Sequence, residues 1–282
     1  MDPAKRNIYI IAAVAFIVLI AGVYFLFIFH KNPKEAKRSE TSSEVKEITQ
    51  IDLTKRPFVT LTPTSDGAEI IISIENMSDF DRIEYELTYM ADNPQVPGNK
   101  IERGATGTDV NTKDQKYKKS ILLGTASKGV RSPDTGITDG KLTMHMFKGE
   151  TEYQSETGWN FVQVGARTTT LTDPAGNFKL EVGGFDKDYW VILAQTLGVP
   201  PSPSFDPKMA QLPIYGTFSI APAFTKSAQL TLKNSEAQNP QLYSYDHTDS
   251  KWEKLDAKYD SSSKTITAQV NSFATFVVVS SK

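Results

Sequence analysis

RIEYELTYM, residues 82–90, alternates Ile83, Tyr85, Leu87 and Tyr89 with Glu84, Glu86 and Thr88. A period of two carried by β-branched and aromatic residues marks a strand with one face buried and the other in water. Upstream lies AEIIISIE at residues 68–75, preceded by Phe58-Val59-Thr60-Leu61-Thr62, Pro63 and a Ser65-Asp66-Gly67 turn. Downstream, strands are predicted at 120–125, 141–147 and 160–164, then a 167–182 hairpin built on Asp173-Pro174-Ala175-Gly176-Asn177. A continuous apolar strand, YWVILAQ, follows at 189–195, and further strands are predicted at 215–220, 228–233, 241–245, 252–255, 265–270 and 274–279. No segment after residue 50 keeps apolar residues at helical spacing for three turns, so the body of the chain reads as all-β, in the manner of sandwiches. Residues 91–116, the longest polar stretch in it, are expected to form a loop with at most a short strand.

The other end of the chain is different in kind. Residues 8–29, IYIIAAVAFIVLIAGVYFLFIF, run for 22 positions without a charge, Pro, Asn or Gln. As a helix this run would extend roughly 33 Å, a match to a hydrocarbon core of about 30 Å, and it is read as a single transmembrane helix in contact with the lipid bilayer. Ala13-Val14-Ala15 fits a cleavage tripeptide, but 14 apolar residues follow it, which favours an uncleaved anchor. Residues 30–50 are read as a polar linker and residues 1–7 as a cytoplasmic tail.

Charge divides along the same line. Residues 1–38 hold six Lys or Arg and two Asp or Glu, a balance of +4, leaving 25 basic and 31 acidic residues, or −6, for the rest. An acidic body is a poor binder of phosphate backbones, so no nucleic-acid partner is expected, and the basic flanks of the span suit anionic headgroups. Lys and Arg near the span ends number two before it and four after it, which taken alone puts the body in the cytoplasm. The short amino-terminal tail, which leaves this span as the only export signal, and the character of the carboxyl-terminal part favour the opposite placement, extracytoplasmic. The chain has no Cys, which removes cysteine nucleophiles, Cys zinc sites and disulfides.

That carboxyl-terminal part carries Leu242-Tyr243-Ser244-Tyr245-Asp246, a polar turn, Lys251-Trp252-Glu253-Lys254-Leu255, and a last hairpin closing on Phe273-Ala274-Thr275-Phe276-Val277. The series resembles the second half of a ZU5-like β-sandwich, a module of exported proteins and of eukaryotic receptors and adaptors. The resemblance covers about 115 residues, more loosely over 165–225, and implies an architecture and no ligand. Some relatives cut themselves at His-Phe-Ser; Ser272-Phe273-Ala274 lacks both the His and the nucleophilic Ser, so self-cleavage is not implied.

Residues that carry chemistry are sparse. Of three His, His30 ends the span, His145 falls on a predicted strand and His247 in a turn. Gly124-Thr125-Ala126-Ser127-Lys128-Gly129 is one residue too long for a nucleophile elbow, and Ser261-Ser262-Ser263-Lys264 holds Ser-x-x-Lys in a hairpin turn without companion motifs. Asp79 with Asp81, Asp186 with Asp188, and Asp246 with Asp249 are calcium candidates, none in an alternating acidic loop; their default use is in Asx turns. Trp159, Trp190 and Trp252, with Tyr85, Tyr89, Tyr189, Tyr243 and Tyr245, are core residues or an aromatic platform for sugar rings or peptide, with Trp159 and Tyr153 the expected exposed pair. Leu212-Pro213-Ile214-Tyr215-Gly216 lacks the Thr of a sortase signal, and Asn76-Met77-Ser78 matches an N-glycosylation triplet.

These readings combine into a membrane-anchored protein with two antiparallel sandwiches outside the membrane, Ig- or fibronectin-like over 51–164 and ZU5-like over 165–282. No catalytic residue, metal or cofactor is assigned. The expected role is structural or adhesive, toward a protein or envelope-polymer partner. The alternatives are a carbohydrate- or calcium-binding module and, least favoured, a tethered hydrolase.

Overall fold

The computed structural model describes residues 45–233 and 237–280. The expected tail, the span at 8–29, residues 30–44 of the linker and His30 all lie outside the described residues. Among the described residues the protein is all-β, with no helix long and apolar enough to cross a membrane and only three single-turn 3-10 segments. Its first strands are β1 (Val45–Glu47), β2 (Phe58–Pro63), β3 (Glu69–Glu75), β4 (Arg82–Asp92), β5 (Lys100–Val110), β6 (Lys116–Leu122), β7 (Gly124–Ser127), β8 (Val130–Pro133), β9 (Thr138–Lys148) and β10 (Thr151–Val164). They are followed by β11 (Thr169–Thr172), β12 (Phe178–Val182), β13 (Tyr189–Thr196), β14 (Ala210–Ser219), β15 (Ala228–Lys233), β16 (Pro240–Asp246), β17 (Lys251–Leu255), β18 (Ala257–Asp260), β19 (Thr265–Val270) and β20 (Ala274–Ser280).

One long sheet runs in the order β17-β16-β20-β14-β13-β10-β9-β4-β5, antiparallel throughout, and β1 lies parallel to the start of β10, Lys46 opposite Tyr153. A three-stranded sheet, β2-β3-β6, packs on one part of it, and a five-stranded sheet, β11-β12-β15-β19-β18, on another. Two large apolar cores result, beside a smaller cluster of Val199, Ile214, Val277 and Val279, and membership of the two follows residue parity. In β4, Ile83, Tyr85, Leu87 and Tyr89 point into the first core against Ile70, Ile72 and Ile74 of β3, as the alternation requires. β13 is buried on both sides: Ile192 and Ala194 belong to the first core, Val191 and Leu193 to the second. A strand covered on both faces has no reason to alternate, which is why YWVILAQ is continuously apolar. β10 is shared in the same way, with Trp159 in the first core and Val164 in the second. The boundary read at 164/165 therefore falls at the end of a strand that pairs with β13, and the long sheet continues across it.

Two buried polar side chains, Asp173 and Arg56, find partners inside the fold. Asp173, 6% exposed, accepts from the Phe178 N–H at 2.8 Å and from the Tyr215 hydroxyl at 3.1 Å, which fixes the β11–β12 turn to β14. Burial, with the adjacent carboxylate, pushes the Tyr215 phenol well above its ordinary pKa. Arg56, also buried, donates through Nε to the Ile51 carbonyl at 2.8 Å and through a terminal nitrogen to that of Thr49 at 3.1 Å.

The structure corrects two local expectations. Residues 91–116 are not a loop with a short strand: they hold β5, eleven residues long and paired with β4 along its length. β5 ends the sheet and buries only one face in part, so its composition stays polar. Its Gly107 is required because the Tyr85 ring lies where a Cβ would stand, 2.2 Å away. The fold also begins before residue 51, since β1 is paired and Ile48 is 4% exposed against the first core.

Shared burial couples the cores. Ile192→Ala, which empties only the first core, is expected to lower stability by about 2–5 kcal/mol. Circular dichroism should still record one unfolding transition; two transitions would show that the cores melt independently.

Candidate functional site

Most residues singled out from the sequence serve the fold. Trp159 is not exposed: it is 2% accessible, its ring seated on Gly140, where a Cβ would lie 2.3 Å from it. Tyr153 packs edge-on against Phe80 at 6.3 Å. The expected exposed pair is overturned because Tyr153, Trp159 and Phe161, at odd positions of β10, face the first core, although they stand in a Gly-containing polar stretch. Trp190 stacks on Phe161 with centroids 4.4 Å and planes 6° apart. Trp252 joins Phe205 and Tyr245 at 5.0 and 5.2 Å and donates from its indole to the Pro201 carbonyl.

The carboxylates act locally. Asp81 accepts from the Gly149 N–H at 2.7 Å, and Asp246 from the N–H groups of Thr248 and Asp249 and the Ser272 hydroxyl. Among the described residues no three His, Asp or Glu side chains are placed to hold a metal ion. In the 261–264 turn, Asp260 accepts from the hydroxyls of Ser262 and Ser263, which hold its carboxyl down at about 2. Asn76 spends both amide hydrogens on the carbonyls of Thr54 and Arg56, at 2.7 and 2.9 Å, and a glycan on that nitrogen would break this clasp.

His145 Nδ1 lies 2.7 Å from a Glu152 carboxylate oxygen across β9 and β10. His247 sits among rings: Phe58 of β2 stacks on it at 6.1 Å, with Phe218 at 5.1 Å and Tyr245 at 5.6 Å. Its Nε2 is 3.2 Å from the hydroxyl of Thr275, a fully buried residue. Burial disfavours the imidazolium, and the nearby Lys116 ammonium adds to it over the opposing pull of Asp246. The pKa falls to about 4.

A further concavity lies where the two sheets of the second core part at their ends. It is a groove of about 560 Å³ between β16, β17 and β20 on one side and β18 and β19 on the other. A second hollow of about 310 Å³ shares Ser244, Glu253, Ser272 and Ala274 with it and reaches Asp246, Asp249 and Lys251. The cause is side-chain size. Inward positions deeper in the core carry Leu242 and Ile266, whereas Ser244, Ala268 and Ala274 line the groove and leave the gap unfilled. Its floor is apolar, from Leu255, Ala268, Val270 and Phe276, and Glu253, Asp256, Lys258 and Gln269 form its rim. Sequence reading singled out none of this groove as a site, because its small inward residues lie on three separate strands.

In comparisons with known proteins, no protein-family model matches the chain and no curated protein matches it.

Since unfolded His247 takes up a proton near pH 6.5 and folded His247 only near pH 4, the unfolded state binds more protons between these values. Stability should fall as pH drops through that window, by up to about 3 kcal/mol from this residue. His247→Phe, which keeps a ring in the aromatic cage, should flatten that part of the profile in thermal melts. An unchanged slope would place the titration elsewhere.

Proposed function

We propose that the protein is a single-pass membrane protein whose body stands outside the cytoplasmic membrane and acts as a structural or adhesive interaction module of the cell envelope. The observation that carries the reading is the uncharged run at 8–29, flanked by basic residues and followed, from Val45, by an all-β body of opposite net charge. Only residues 30–44 separate the run from β1 in the sequence. The two cores support a reading as two sandwich halves, Ig- or fibronectin-like before residue 165 and ZU5-like after it, joined through the shared sheet. Sandwich modules engage partners through loops and unpaired edges, and among the described residues both β17 and β5 end the long sheet without a further neighbour.

A second reading, a carbohydrate-binding module, draws on the amide and hydroxyl side chains of Gln229, Thr267, Gln269 and Asn271 along the groove. The calcium form of that reading has no three-ligand cluster among the described residues to rest on.

Protease added to intact cells, or to spheroplasts if a wall intervenes, should cut within residues 30–44 and release a fragment covering the β body. Full protection in both preparations would reverse the topology.

A further inference from the structure

We infer that the groove at the open end of the second core is a docking site for an extended polypeptide segment bearing basic side chains, which adds as a strand along β17. This rests on the interaction role proposed above and specifies the partner and its mode of binding.

Backbone geometry comes first. β17 pairs with β16 on one side and is the last strand of the long sheet on the other. Across the groove, β18 begins at Ala257, opposite Ala268, so β19 runs on through Gln269 and Val270 with no strand beside it on that side among the described residues. Two unfinished sheet edges thus border one groove, and an added strand finds main-chain donors and acceptors there without displacing anything.

Side chains then set the character of the occupant. Leu255, partly exposed beside the groove, offers apolar contact to one parity of an added strand, while the other parity faces the rim. The rim and the adjoining hollow hold Asp246, Asp249, Glu253 and Asp256 against Lys251 and Lys258, a balance of −2. Among the described residues no ion pair engages Glu253 or Asp256, although Glu253 lies on the inward parity of β17, opposite Ser244. A carboxylate held at that position, unneutralised, complements a cationic side chain of an incoming strand.

The probe is an octapeptide of alternating Lys and Val, labelled and titrated by fluorescence anisotropy against the full chain in nanodiscs of zwitterionic lipid. Saturable binding is expected, weakened at least tenfold in the double variant Glu253→Lys/Asp256→Lys and at least tenfold when alternate backbone amides of the peptide are N-methylated. Both substituted residues are exposed, and an unchanged thermal transition confirms that the variant is folded. Binding that survives N-methylation, or is matched by a Glu-Val octapeptide, overturns the proposal. So does an absence of binding, in which case Glu253 only guards an edge, and so does occupation of the groove by neutral oligosaccharides in competition with the peptide. None of these outcomes bears on membrane topology, so failure here is distinct from failure of the anchored reading.

Discussion

Burial of β13 on both faces is the constraint from which the rest of the architecture follows. A half-buried strand satisfies one core with every second residue; this one places Val191 and Leu193 in one core and Ile192 and Ala194 in another, so its neighbours must carry sheets on opposite sides. Burying such side chains is worth about 1.5–3 kcal/mol each, and here the gain is drawn from two cores across a single backbone. A slip of one residue in register would exchange the two sets and spoil both cores at once. In a chain without disulfides, that double dependence does the work of a cross-link between halves.

Strand positions were the most legible part of the fold because they are written locally. The alternation of Ile83 to Tyr89 and the Asp173-to-Asn177 turn both lie within a dozen residues, and both are found as read. Sheet partnership is not local. Nothing in 160–164 or 189–195 announces that Asn160 lies opposite Leu193, and it is this pairing that makes the long sheet continuous. Trp159 was misread for a related reason: its polar neighbours occupy the opposite face, and the space for its ring is made by Gly140, nineteen positions away. β5 was missed because an edge strand buries too little surface to show a clear period.

The candidate site was less legible still. Chemistry-bearing residues drew attention in the sequence, yet His145, Asp246 and the serines of the 261–264 turn are engaged in local contacts. The groove is made by what is missing from the core, small side chains at Ser244, Ala268 and Ala274 where larger ones would have closed the sheets together. A deficit of volume at three positions, separated in sequence and aligned only by pairing, becomes visible once the sheets are assembled.

The entry of the chain into the fold has a mechanical consequence. β1 is parallel to β10, and the segment behind it is held by buried Ile48 and by the bonds from Arg56 and Asn76 to carbonyls between Thr49 and Arg56. A pull on Val45 would therefore meet the three-residue β1–β10 ladder first and the clasp behind it second, and only what that ladder bears would reach β10, a strand with residues in both cores.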